Sequence, residues 1–259
     1  MKTNMWKAGL FGALSLISIA PAAHAEEGAW GPFTAGATLT SDYRFRGISN
    51  SDRGAAVQGW VQYDHASGFF GNIWASTIDF NDQLTYDSSV EVDFTVGYNH
   101  MFSEKTGGTV KAVYYWYADA DAPAGFPDYD YFELGAALSH DFGMAAVSGE
   151  VMWSPDYFAE VGDAVALTGG VEVPIMDEFL FFDGGLTASG HVGYQWIDDN
   201  ATAGVPDYLF YDLGATASWG IFSVDLRWVG TDLDRPECVG GLDTCQDGVV
   251  LSVSADLPG

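Results

Sequence analysis

Basic residues are scarce in this chain: 9 Lys and Arg stand against 36 Asp and Glu, a formal charge of −27. So acidic a surface excludes DNA and RNA as partners, because phosphate backbones are held by Lys and Arg. It also excludes docking on anionic lipid through a polybasic patch. Long apolar runs are missing as well. After residue 25 no stretch reaches the roughly 18 apolar residues that a spanning helix needs. No segment of useful length shows the 3.6-residue period of an amphipathic helix. Cysteine is limited to Cys238 and Cys245. Disordered acidic chains lack aromatic and apolar residues. Here 15% of residues are aromatic and 48% apolar, which excludes that class too.

What is present begins with an export signal. Lys2 and Lys7 precede an apolar run from Ala8 to Ala20, and Ala23-His24-Ala25 supplies an A-x-A cleavage site. This is the pattern of a secretory signal peptide. The expectation is that residues 1–25 are removed on export and that 26–259 form one domain. In an oxidising compartment Cys238 and Cys245, set in the turn-rich ECVGGLDTC, are expected to form one disulfide.

Period-two alternation recurs in twelve runs, near 32–43, 54–65, 68–79, 88–102, 107–118, 128–141, 143–154, 163–174, 182–196, 207–219, 221–231 and 247–257. In SVEVDFTVGY, Val90, Val92, Phe94, Val96 and Tyr98 share one face, and Ser89, Glu91, Asp93, Thr95 and Gly97 the other. A soluble sandwich would alternate in the same way, so the connections decide. RFRGISNSDR, FNDQLTYD, ADAPAGFP, PDYFAEVG, DDNATAGVP and DLDRPECVGGLDTCQDG are long and mostly acidic. Those between them are mostly short, with Pro174 to Phe182 the ambiguous case. Long loops on one side and tight turns on the other mark an outer-membrane barrel. The predicted fold is therefore all-β: a transmembrane, up-and-down, antiparallel β-barrel of about twelve strands with both termini periplasmic.

Aromatic residues gather at the strand ends. Tyr43, Phe45, Phe80, Tyr86, Trp116, Tyr129, Trp153, Trp196 and Trp228 lie at the outer ends. Phe69, Phe70, Phe102, Phe142, Trp219 and Phe222 lie at the inner ends. Two such levels are expected as girdles at the two lipid–water boundaries.

Charges on strands should point away from lipid, where each costs a few kcal/mol near the midplane. That rule collects Gln58, Gln62, Asp64, Glu91, Asp93, Lys111, Glu133, Glu150, Glu172, Asp212, Asp225 and Arg227 on one face. Gly97, Gly135, Gly193 and Gly214 fall on it as well. Glu91, Asp93, Lys111, Glu133, Glu150, Glu172, Asp212, Asp225 and Arg227 are the candidate pore-lining residues. Acidic rings would favour cations in a water-filled conduit. Alternatively, Lys111 and Arg227 pair with neighbouring acids and the side chains close the lumen. Small barrels fill and large ones stay open, and twelve strands lie between. His191 also falls on the polar face. His65, His100 and His140 lie near the periplasmic ends of strands.

Ser139-His140-Asp141 resembles a triad only on paper, since neighbours on a strand face opposite ways. Asp119-Ala120-Asp121 and Asp232-Leu233-Asp234 carry oxygen ligands but lack the glycine and the last glutamate of an EF-hand loop. Their expected role is in solvated loops, bridged to lipopolysaccharide by divalent ions. No cofactor or resident metal is implied.

The first strand closes on Ser41-Asp42-Tyr43-Arg44-Phe45-Arg46-Gly47-Ile48-Ser49, with Ser51 following. AAVQGWVQYDHASGFFGNIWAS comes next, and the paired-Cys loop runs into DGVVLSVSADL at the end. Across essentially the whole mature chain this resembles the TorF-like family of outer-membrane porins. The resemblance implies a porin-like barrel and supplies neither a substrate nor catalytic residues. Arg44, Arg46 and Gly47 match its strongest motif, and would pin the first outer loop against the barrel. One departure concerns the barrel-assembly machinery, which reads a terminal aromatic residue, because this chain ends Leu257-Pro258-Gly259.

Three functions follow as expectations. The first is a porin passing small hydrophilic solutes, cationic or zwitterionic, among outer-membrane lipid and lipopolysaccharide. The second is a non-conducting structural or adhesion barrel that uses its outer loops for contact. The third is an outer-membrane enzyme, which would need a converging Ser, His and Asp cluster.

Overall fold

Each of the twelve alternating runs is a strand in the computed structural model, with ends within three residues of those read from the pattern. The structure describes residues 31–80, 88–118, 120, 124–177 and 184–257. The segment 1–25, Tyr86, Asp119, Asp121, residues 178–182 of the ambiguous connection and Pro258-Gly259 lie outside them.

The strands are β1 (Phe33–Thr40), β4 (Ala56–Asp64), β5 (Phe69–Thr77), β6 (Val90–Ser103), β7 (Thr106–Tyr117) and β8 (Tyr131–Asp141). They continue as β9 (Ala146–Ser154), β10 (Ala164–Met176), β11 (Gly184–Ile197), β12 (Tyr208–Trp219), β13 (Phe222–Thr231) and β14 (Gly248–Leu257). Between β1 and β4 lies a small separate hairpin, β2 (Arg44–Phe45) and β3 (Ile48–Ser49), which the alternation did not foretell.

Each barrel strand pairs antiparallel with its sequence neighbours, and β1 pairs with β14, Thr38 opposite Ser254, to close the sheet. Closure leaves no row of unpaired backbone groups, the condition for strands to cross a bilayer. The connection lengths alternate as expected. Residues 41–55, 155–163, 198–207 and 232–247 form long connections, whereas 65–68, 104–105, 142–145 and 220–221 are tight turns.

The two faces differ sharply. Val96, Leu138, Leu213 and Val249 are 64%, 60%, 62% and 67% exposed, and the rest of that face is as apolar. Soluble proteins rarely expose apolar patches beyond a few hundred Å². A band of this kind around a closed barrel suits lipid. Trp116, Trp153, Trp196 and Trp228 are exposed at the outer ends, and Phe69, Phe102, Phe142 and Phe222 at the inner ends.

The outer girdle needs correction. Tyr43, Phe80 and Tyr129 are buried, and Phe45 packs against them. These rings sit beyond the strand ends, on loops that fold back into the barrel mouth. Period-two alternation says nothing about a residue once its strand has ended.

Candidate functional site: the lumen and its inward-folded loop

Inward positions follow from the pleat, and two of their glycines shape the wall. On β7, Lys111 stands opposite Gly135 of β8, and Glu150 lies one strand further, on β9. A Cβ on Gly135 would collide with Met152 Sδ and press on the Lys111 stem, 3.1 Å away. Without it, Lys111 lies across β8 and reaches the Glu150 carboxylate at 2.8 Å. Gly214 of β12 plays the same part between β11 and β13. Arg227 crosses over it to donate to Ser189 Oγ at 2.9 Å.

Around Arg227 a second charged group assembles. Its guanidinium pairs with Asp212, and with Asp225 at 3.1 Å. His191 Nδ1 lies 2.8 Å from the other Asp212 oxygen. Thr216 Oγ1 donates to Asp225 at 2.7 Å. Each of these partners sits on a different strand from Arg227 except Asp225, so the cluster stitches β11, β12 and β13 from within. The sequence placed His191 on this face but supplied no partner for it, since Asp212 is 21 residues away.

The outer half of the lumen is built differently. Asp42 is a hub: it accepts from Arg44 Nε at 2.7 Å, from Ser49 Oγ at 2.6 Å and from Ser51 Oγ at 3.4 Å. These bonds fold residues 41–55 on themselves, and Asp42, Arg44, Ser49 and Ser51 of the motif are its internal braces, while Ser41 bonds to Leu251 of β14. Arg46 and Gly47 form the two-residue turn between β2 and β3, with φ of 47° and 85°. Positive φ at both central residues is the hairpin turn that matches strand twist, and glycine is the natural second residue. Gly47 is also required by space, because a Cβ there would lie 2.6 Å from Gly230 O.

That turn drives Arg46 into the barrel. Its Nη2 donates to both Glu133 carboxylate oxygens at 2.8 Å, and its Nη1 to Gln195 Oε1 at 2.7 Å. Glu133 is on β8 and Gln195 on β11, and both are 0% exposed. Tyr115 Oη donates to the same carboxylate at 2.9 Å. The guanidinium lies 4.6 Å from the centre of the Phe45 ring and 5.8 Å from that of Tyr157. Burial pushes the Tyr157 hydroxyl up to about 12 against the pull of Arg46, so it stays neutral. Charges this deep are tolerated only when paired and hydrogen-bonded.

Tyr43 Oη donates to Glu91 of β6 at 3.1 Å. The loop therefore touches β6, β8 and β11, and Gly47 approaches β13. Only a segment inside the barrel can reach inward faces on so many sides. Aromatic side chains close around it: Tyr43 against Trp74, Phe45 against Tyr115, and Tyr115 stacked on Tyr131. Arg44 and Arg46 pin the first loop, as the motif implied, but as buried groups, each 5% exposed. Arg46 reaches into the barrel to β8 and β11, and Arg44 bonds to Asp42 and to the Gln246 carbonyl of the disulfide loop.

Cys238 and Cys245 are disulfide-bonded and buried. Their loop ties down the base of the inward segment. Ser49 N donates to Thr244 O at 3.0 Å, Arg44 Nη1 to Gln246 O at 2.7 Å and Arg53 Nη1 to Asp243 O at 2.7 Å. Asp232 is engaged locally, accepting from Leu209 N at 2.8 Å. Asp234 caps the turn at Arg235–Glu237.

All nine candidate pore-lining residues lie on inward positions. The structure gathers Lys111 with Glu150, Arg227 with Asp212 and Asp225, and Arg46 with Glu133. Asp93 and Glu150 each keep one buried oxygen without a hydrogen bond, Glu150 meeting Lys111 through charge alone, and Glu172 feels His191 and Arg227 without a direct ion pair among the described residues. The sequence reading missed Gln195, Tyr115 and Tyr157, which are neutral residues drawn together across long chain separations. Arg-Gly between two extended dipeptides was the available signal for the turn.

A family model described as "Bacterial protein of unknown function (Gcw_chp)" matches residues 25–256. No curated protein matches the chain in sequence. Among solved structures, the fold is similar to a KdgM porin: TM-score 0.53 and 8% identity, covering 86% of this chain and 97% of that one. A KdgM porin in complex with disordered oligogalacturonate gives TM-score 0.52 and 7% identity over 86% and 96% of the two chains. A NanC porin gives TM-score 0.53 and 9% identity over 88% and 99%.

Proposed function

The chain belongs to the Gcw_chp family of bacterial proteins, and we propose that it is an outer-membrane, porin-like barrel passing small hydrophilic solutes, cationic or zwitterionic in preference to anionic. The observation that carries this reading is the charge of the inward face. Seven of the nine candidate residues are acids, against three cations, Lys111, Arg227 and the inserted Arg46. The cations pair with Glu133, Glu150, Asp212 and Asp225, so carboxylates remain in excess, and low-dielectric walls focus the field of such an excess along the axis. An acidic saccharide of the kind bound by one KdgM porin is therefore a poor fit to this lumen. The apolar outer band and the TorF-like motif agree with an outer-membrane site, with lipid and lipopolysaccharide around the barrel and export by the signal segment. Liposome swelling tests the preference. Purified barrel in vesicles should admit methylammonium chloride or glycine faster than a similar-sized carboxylate salt, and equal or reversed rates would reject it.

A second reading has its own observation. Residues 41–55 enter the outer half of the lumen, and Lys111 and Arg227 pair with neighbouring acids; a barrel closed in this way would be a non-conducting structural or adhesion protein. No swelling with any solute would favour it.

A further inference from the structure

The hydrogen-bonding part of the cage around Arg46 comes from the barrel wall, while its aromatic faces come from Phe45 of the entering hairpin and from Tyr157. Glu133 comes from β8, Gln195 from β11, Tyr115 from β7, and Tyr157 from the connection between β9 and β10. Together they offer a carboxylate, an amide oxygen and aromatic faces to a planar fork of N–H donors. A guanidinium matches such a set, whereas an ammonium, a compact and strongly hydrated point charge, matches it poorly. The occupant arrives on a strained support, since Arg46 holds a φ of 47° that non-glycine residues rarely adopt. Such an outlier persists only where its surroundings hold it.

The base of the loop is fixed independently, by Asp42, by Arg53 and by the disulfide loop. Emptying the cage therefore requires only the Arg46 side chain to swing away. We infer that the Glu133–Gln195–Tyr115–Tyr157 cage is a guanidinium-binding site in the lumen. Arg46 is its tethered occupant, and a guanidinium-bearing solute takes its place where the Arg46 side chain is withdrawn. That such solutes are also among those that pass rests on the porin reading. The cage itself does not.

The test uses the full mature barrel in detergent and in lipid, with methylguanidinium as the probe and methylammonium at equal ionic strength as its control. The Arg46→Ala variant should melt lower than wild type, and low-millimolar methylguanidinium should restore part of the loss saturably. Methylammonium should need at least tenfold more. Adding Glu133→Gln to that variant should abolish the response, and wild type, already occupied, should not respond. In planar bilayers methylguanidinium should reduce the current through Arg46→Ala. If Arg46→Ala does not fold, Arg46→Lys decides, because it keeps the charge but cannot fill the fork; it should show the same selective, saturable shift. No saturable shift, equal shifts by the two cations, or a shift that survives Glu133→Gln overturns the site. Swelling without a selective shift overturns the site alone. A selective shift without swelling overturns the porin reading and leaves the site standing.

Discussion

Lys111 reaches Glu150 only because the residue between them has no side chain. Removing one member of a buried pair strands the other charge, which costs about 3 kcal/mol or more. Lys111→Met should therefore destabilise the barrel by about that amount, as measured by urea unfolding from lipid vesicles. Gly135→Val should cost a similar amount by blocking the path, and the double variant should cost little more than either, because one interaction is lost twice. Fully additive losses would contradict the crossing. The inward faces were legible at this scale, since charge avoidance of lipid assigns each strand residue from its own pattern. The partners were not. Arg46 and Gln195 are 149 residues apart, and alternation carries no information about which inward side chains meet.

The strands and the first loop differ as elements in what the sequence could reveal. A strand between lipid and lumen is constrained residue by residue, so its ends fell within three positions of the pattern. The loop 41–55 is organised by hydrogen bonds from Asp42 and by distant walls, so it read as an outer loop. Two predictions belong here. Gly47→Ala puts a methyl against the Gly230 carbonyl and forces a left-handed backbone, itself costing about 1–2 kcal/mol. The hairpin should leave its seat, and the fluorescence of Trp74, packed on Tyr43, should shift towards the solvent-exposed range. An unchanged spectrum would count against a seated hairpin. Replacing Cys238 and Cys245 by alanine should lower stability by about 2–3 kcal/mol. Amide exchange should quicken at Ser49, which bonds to the disulfide loop. Faster exchange spread evenly over the barrel strands would contradict a local tie.

At the scale of the whole molecule, an apolar exterior and a polar, acid-rich interior are set on one closed sheet. Val96→Arg, on the lipid side, should cost about 2–4 kcal/mol in folding into vesicles, whereas Thr95→Arg, on the inner side, should cost much less. Equal penalties would mean that the faces are wrongly assigned. The loop narrows the outer half, and carboxylates outnumber cations on the inward face, so ion preference is where the proposed function can be read most directly. Its most direct test is the reversal potential of the wild-type barrel in a planar bilayer under a tenfold gradient of potassium chloride. A cation-preferring barrel gives small conductance steps with a potential of the sign set by potassium. A potential of the sign set by chloride would contradict it.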